Sequence, residues 1–285
     1  MQTSPTVQRR RLGLLLTQMR NGCGLTTRQA GAAMERSEAW VSRVEAGKNG
    51  LDVSVLRGLL NLYEVTDPAV RAEMEDLARG GRQRGWWSRY RSALSEDYAA
   101  YIGFESSALR LLAWQTLVVD GLLQTEEYMR NLFRFGSPPI SAERVERLVQ
   151  VRLQRQQRLT GEHPVELSVV LDEAVLHRII GGDRQVHVAQ LDHLVEVART
   201  VPNVRVQVVP FDEAFNPGML PSFTVLQFPA PFRDIVHVEG VTSDIYEEGE
   251  DATRLTLMHE ELRAAALSTP RSIALIRRVR DEVAT

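Results

Sequence analysis

The 285-residue chain has one cysteine, Cys23, one lysine, Lys48, and only 6% aromatic residues. A lone thiol can make no internal disulfide, which excludes a disulfide framework and points to a reducing cytoplasm. No run approaches the ~18–20 uninterrupted apolar residues of a membrane span, so no membrane is expected among its partners. Met1-Gln-Thr-Ser-Pro-Thr-Val-Gln8 leads into three arginines rather than a secretory apolar core, and export is not expected. The scarcity of lysine leaves 33 of 34 basic residues as arginine, the habit of a GC-rich genome, which lowers the weight of any single arginine. What is present, 44% apolar and 25% charged side chains, belongs to ordinary globular protein long enough for about two domains.

The net charge of −3 speaks, taken as an average, against a nucleic-acid binder. The charge is unevenly placed. Residues 1–50 hold eight basic side chains, Arg9, Arg10, Arg11, Arg20, Arg28, Arg36, Arg43 and Lys48, against Glu35, Glu38 and Glu45. That is +5 locally, which leaves −8 for the other 235 residues. A small basic lobe on a larger acidic body suits a polyphosphate partner, with chance clustering as the plain alternative.

Leu12, Leu15, Leu16 and Met19 recur at helical spacing and predict a helix over 7–20, which Asn21-Gly-Cys-Gly24 ends. Thr26 caps a short helix to Met34, Glu35-Arg36 turns, and Ser37 caps a third helix to about Ala46, with Gly47 at its end. Asp52–Tyr63 and Asp67–Arg79, the latter with Pro68 at its first position, complete an all-α five-helix head over 1–80. Gly80-Gly-Arg-Gln-Arg-Gly85 lacks apolar periodicity and marks a boundary, with 81–88 as linker. Helical segments are expected from there to about residue 160, interrupted at Ser137-Pro-Pro139. Val165–Leu171, Val204–Val209, Phe223–Phe228 and Ile235–Val238 read as strands, with helices at Val186–Arg199, Asp251–Ala266 and Pro270–Val283. Residues 89–285 are thus expected to form a larger α+β (mixed α/β) C-terminal domain.

The strongest chemical signal is the second helix, turn and third helix. In such a unit the later helix enters the major groove, ~12 Å wide, with its N-terminal side chains on base edges. Ala30, Gly31, Val41 and Val44 supply the small and apolar residues of the helix crossing, and Ser37, Glu38, Ala39, Ser42 and Arg43 the polar face. Leu12-Gly13, Met19-Arg20, Gly24-Leu25-Thr26, Gln29-Ala30 and Val41-Ser-Arg-Val-Glu-Ala-Gly47 resemble, in register, the phage-repressor-like (XRE-type) helix-turn-helix family. The resemblance implies double-stranded operator DNA as partner and a structural ion pair between Arg20 and Glu45. Ala30 stands where that family has leucine, and Glu35 where its turn has glycine.

Ser42 and Arg43 are the foremost readers or clamps, Arg43 through guanine or, more simply, phosphate. Thr27, Arg28 and Gln29 are expected on the DNA backbone, and Ser37, Ala39 and Lys48 on the same face. Trp40 packs on a thymine methyl or sugar, or against a neighbouring helix. Glu38 reads a cytosine amino group or, more simply, caps its helix.

Trp86-Trp87 through Asp120-Gly-Leu-Leu-Gln-Thr-Glu-Glu-Tyr128, with Ser222-Phe-Thr-Val-Leu226 and Ile235-Val-His-Val-Glu239, resembles an actinobacterial, antitoxin-like regulator family in which such a head is fused to a poorly characterised C-terminal domain. Asp120 replaces the proline usual before that glycine. The resemblance implies a cytoplasmic, nucleoid-associated regulator. Its C-terminal domain is expected to dimerise, because one head is small, and to respond to a small-molecule effector or a small partner protein encoded nearby. The alternative is an antitoxin-like module that sequesters that small protein and binds DNA for autoregulation.

No enzyme, cofactor or metal is expected. His259-Glu-Glu-Leu-Arg263 begins like a zinc-protease helix, but Arg263 stands where the second histidine is needed. Glu173 with His177, and Asp192, His193 and Glu196, fall short of three ligands and read as solvated helix faces. Cys23 has no base designed beside it. Glu247-Glu-Gly-Glu-Asp251 reads as a solvated loop feeding a helix N-terminus. Arg144, Arg147, Arg155 and Arg158 read as a solvated face, or as a second DNA- or partner-facing strip. Trp86, Trp87, Tyr90, Tyr98, Tyr101, Phe104 and Trp114 read as core packing, or as the lining of a ligand pocket.

Overall fold

Local chemistry starts each N-terminal helix. In the computed structural model, which describes residues 3–136, 139–213, 221–240 and 243–285, α1 spans Pro5–Gly22, α2 Thr27–Ala33, α3 Glu38–Glu45, α4 Val53–Leu62 and α5 Pro68–Gly81. Their N-caps are Ser4, Thr26, Ser37, Asp52 and Asp67, and each cap side chain accepts a backbone N–H of the first turn. Each such cap contributes about 1 kcal/mol by satisfying a donor the helix leaves open. Thr26 also closes a reciprocal capping box with Gln29.

Leu12, Leu16, Val41, Val44, Leu56, Leu59, Leu60 and Met74 are buried in this part of the chain. Gly13 lets α1 lie against the end of α3, since a Cβ there would overlap the carbonyl oxygen of Glu45. Gly80 and Gly81 are the buried last turn of α5. A 3-10 turn, Trp86–Tyr90, and α6, Glu96–Glu105, follow. The chain divides into two units, Met1–Arg89 with Ala99–Ser107, and Tyr90–Tyr98 with Ala108–Thr285. The later turns of α6 join the first unit, where Ser4 Oγ donates to the Gly103 carbonyl at 2.5 Å and Ser4 N–H to Ser107 Oγ at 2.6 Å.

The second unit is built on six strands, β1 (Arg110–Gln115), β2 (Glu166–Asp172), β3 (Val204–Val209), β4 (Phe223–Gln227), β5 (Ile235–Val238) and β6 (Ile245–Glu248). They form one mixed sheet in the order β3-β2-β1-β4-β5-β6. β1, β2 and β3 run parallel, and β4, β5 and β6 are each antiparallel to their neighbours. Parallel neighbours require crossovers. These are α7 (Glu126–Phe135) and α8 (Ala142–Gln156) between β1 and β2, then α9 (Ala174–His177) and α10 (Arg184–Thr200) between β2 and β3. Two helices, α11 (Glu250–Ala265) and α12 (Thr269–Ala284), end the chain. Leu112, Trp114, Val170, Phe223, Val225 and Val236 of the sheet pack with Ala252 and Leu262 of α11 in one apolar cluster.

Two expectations fail here. Residues 110–115 are a strand at the centre of the sheet rather than part of a helical stretch. Arg-Leu-Leu-Ala-Trp-Gln has no β-branched residue, and its four middle residues are buried in succession, so neither propensity nor alternation marks it. Glu247 and Glu248 belong to the edge strand β6, and only Gly249 separates them from α11. The interruption expected at Ser137-Pro-Pro139 falls between α7 and α8, where Ser137 and Pro138 lie outside the described residues.

His259, on α11, is fully buried and donates from Nε2 to the Ser168 carbonyl of β2 at 3.1 Å. Burial pushes its imidazole down to about 4. Burial lowers His187 and His193 as well. A neutral ring favoured in the fold stabilises fully above the unfolded value of about 6.5, and that stabilisation is lost as pH falls from there toward 4, roughly 3 kcal/mol for His259. Urea midpoints of the full chain are therefore expected to drop between pH 7.5 and 4.5, with a shallower drop in His259→Gln.

Candidate nucleic-acid interface

The α2-turn-α3 unit is assembled from short-range demands. Gly31 is buried, and a Cβ on it would come within 2.9 Å of the Arg36 carbonyl oxygen, so the turn folds back directly over α2. Glu35 crosses that turn at φ +55°, in the left-handed region that favours the glycine it replaces. Ala30 is fully buried where the resemblance has leucine. Gly47 leaves α3 at φ +71°.

One ion pair ties this unit to α1. Arg20 Nε donates to Glu45 Oε1 at 2.6 Å and Nη2 to Glu45 Oε2 at 2.8 Å, a bidentate arrangement. Nη1 donates to the Leu25 carbonyl at 2.6 Å and to Asn21 Oδ1 at 2.8 Å, so the loop leading into α2 hangs on the same guanidinium. The two side chains are only 10% and 9% exposed. Hydrogen bonding to Glu45 holds the Arg20 guanidinium above its ordinary range.

The structure divides the basic residues of the first fifty. Arg9 donates to the carbonyls of Gly81 at 2.8 Å and Gly47 at 3.3 Å, Arg10 to that of Ala46 at 3.4 Å, and Arg11 pairs with Glu73 at 2.6 Å. With Arg20, these four hold helices together. Arg28, Arg36, Arg43 and Lys48 are exposed. Arg28, Arg43 and Lys48 have no side-chain partner among the described residues, while the Arg36 guanidinium lies 5.8 Å from the centre of the Trp40 ring.

The polar candidates share the exposed surface of α2 and α3 in graded states of readiness. Ser42 and Ala39 are exposed. Ser37 Oγ accepts from Trp40 N–H at 3.1 Å, which leaves its own hydroxyl proton available. Gln29 Oε1 accepts from Thr26 N–H at 2.9 Å, which leaves its amide donors. Thr27 differs, because its hydroxyl donates to Glu38 Oε1 at 2.9 Å. Glu38 therefore does not cap α3; Ser37 does. Trp40 is half-buried.

A helix-turn-helix domain profile matches residues 11–74. The profile of a domain of unknown function, DUF5753, matches residues 98–278, more than half of the chain. The chain belongs to the DUF5753 family. No curated protein and no solved structure matches it. The helix-turn-helix match points to a DNA-binding regulator.

Within the DUF5753 region several sequence candidates turn out to be structural. Arg155 is buried and donates to the Tyr98 hydroxyl at 2.8 Å, and Arg158 donates to the Ala108 carbonyl at 2.6 Å. Arg144 bonds the Ala93 carbonyl at 3.1 Å and Arg147 the Ser92 hydroxyl at 2.7 Å. Arg144 and Arg147 are exposed, as a solvated face requires, and reach the segment before α6, whereas Arg155 reaches α6 itself and Arg158 the chain just after it. Glu173 is buried rather than solvated, and accepts the Phe211 N–H at 2.8 Å beside His177. Asp192 pairs with Arg280 of α12 at 2.9 Å. Of the aromatic residues, Trp86, Trp87, Tyr101 and Phe104 fall in the first unit and Tyr90, Tyr98 and Trp114 in the second. Cys23 is exposed, with its thiol donating to the Tyr63 carbonyl at 3.2 Å. Among the described residues, no three His, Cys, Asp or Glu side chains converge as metal ligands.

Two substitutions test how this surface is held. Arg20→Ala strands a nearly buried carboxylate and is expected to lower stability by roughly 3 kcal/mol, read by urea unfolding. Glu35→Gly relieves the left-handed backbone and is expected to raise stability by about 0.5–1 kcal/mol, since glycine's larger unfolded entropy offsets part of the gain.

Proposed function

We propose that this protein is a sequence-specific DNA-binding transcriptional regulator with a binding, not a catalytic, role. Its head places α3 in the major groove, Arg43 and Ser42 face the bases and adjacent phosphates, and Arg28, Gln29, Ser37 and Lys48 hold the backbone. The observation that carries this reading is the helix-turn-helix match over 11–74 together with Arg28, Arg43 and Lys48, exposed on that unit and without a side-chain partner among the described residues. The region 98–278 dimerises and receives a small-molecule effector or small protein, in an actinobacterial cytoplasm with the nucleoid as its station. Dimerisation is supported by the small size of one head, because two heads read half-sites ~34–36 Å apart or a multiple of that. Sedimentation that finds a monomer at micromolar concentration, free and on DNA, counts against it.

The salt dependence follows from which cations are available. Each phosphate neutralised contributes about −0.9 to the slope of log affinity against log salt, so four available cations set a limit of roughly −4 per head, not the roughly −7 of eight. Mobility-shift titrations across salt concentrations read this slope, and an affinity indifferent to salt would sink the assignment. Arg43→Ala is expected to weaken specific binding roughly 5- to 150-fold if it reads a base, and to reduce the slope by about one if it clamps a phosphate.

A further inference from the structure

We propose that Glu38 is a specificity-determining residue that accepts a hydrogen bond from a cytosine N4 amino group at one position of each half-site, with Thr27 as its positioning residue. This rests on the DNA-binding reading above and deepens it.

Glu38 opens α3, is exposed, and lies where a helix-turn-helix head presents side chains to base edges. The simpler role for an acid at a helix start, capping, is already filled by Ser37, whose hydroxyl takes the Trp40 N–H. No cation pairs with Glu38 among the described residues, and its carboxylate meets a hydroxyl instead. Its one hydrogen-bond partner among the described residues is the Thr27 hydroxyl, which reaches across from the first residue of α2. That bond leaves most of the carboxylate's acceptor sites unfilled, since an ionised carboxylate has roughly four. It also restricts a side chain that would otherwise sample many rotamers. Thr27 has a single hydroxyl proton, and while that proton is donated to Glu38 it cannot be donated to a phosphate.

A carboxylate held on the face that meets DNA is repelled by phosphates, so only a base donor compensates its approach. The major groove offers two such donors, adenine N6 and cytosine N4. Adenine sets its N7 acceptor beside the amino group, against the second carboxylate oxygen. Guanine shows O6 and N7, and thymine O4 and a methyl group, so both present acceptors where a donor is required. Cytosine alone offers a donor with no acceptor beside it on the same base.

The test selects bound sites from randomised duplexes with the full-length chain, then measures affinity for the selected site and its single-base variants. The wild type is expected to prefer C·G at one position per half-site. Glu38→Ala should lose that preference, roughly 5- to 150-fold, and keep the preferences elsewhere. Glu38→Gln should move it toward adenine, which pairs with a carboxamide through N6 and N7. Thr27→Val should weaken the cytosine preference, and Thr27→Ser should retain it. Unchanged preferences in both Glu38 variants overturn the inference while leaving DNA binding intact. A wild type that selects no sequence overturns both, and the wild-type arm alone reveals it. If Glu38→Ala fails to fold by circular dichroism, the near-isosteric Glu38→Gln decides by the same criterion.

Discussion

The Arg20–Glu45 pair is the contact on which the presentation of the exposed α2–α3 surface depends. One guanidinium reaches the end of α3 through Glu45 and the entry to α2 through the Leu25 carbonyl, so both helices of the helix-turn-helix unit are referenced to α1. This geometry requires α1 and α3 to approach more closely than any side chain at position 13 allows, which is why Gly13 faces the Glu45 carbonyl. The pair and the glycine act together. The glycine brings the backbones close enough for a two-pronged bond, and the bond fixes the distance that the glycine permits.

That arrangement changes the meaning of the head's charge. A count of +5 over fifty residues suggests a broad cationic surface. Half of the cations instead satisfy carbonyls and carboxylates within the unit, where they stabilise helix ends and interhelical contacts. The exposed surface of the helix-turn-helix unit is modest in charge and carries an acid, Glu38, held by Thr27. In the proposed role, such a surface would rely on base contacts more than on counterion release, which favours discrimination over adhesion.

The DUF5753 region uses arginine in the same internal way. Arg155, Arg158, Arg144 and Arg147 of α8 and its extension close on hydroxyls and carbonyls around residues 92–108. Glu173 likewise holds the start of the chain after β3. In an arginine-rich sequence the fork of five donors serves as a general connector of backbone segments, and amphipathic spacing alone cannot separate a connector from a solvated face.

What the sequence determined by itself was whatever local chemistry dictates. The caps at Thr26, Ser37, Asp52 and Asp67 read directly as helix starts, because a short polar side chain beside an open N–H acts within three residues. The β-branched runs of β2, β3 and β5 read as strands for a similarly local reason. The helix-turn-helix unit was legible because its glycines, small residues and ion-pairing partners recur at fixed spacing. Tertiary structure decided what depends on distant partners. β1 is a strand because β2 and β4 pair with it from 56 to 117 positions away in register, a fact absent from its own six residues. The hydrogen-bond partner of Glu38 is Thr27, eleven residues earlier and on another helix. Which arginines remain available to a ligand was decided by carbonyls brought near only after folding, because a hydrogen bond depends on distance in space and the sequence records only distance along the chain.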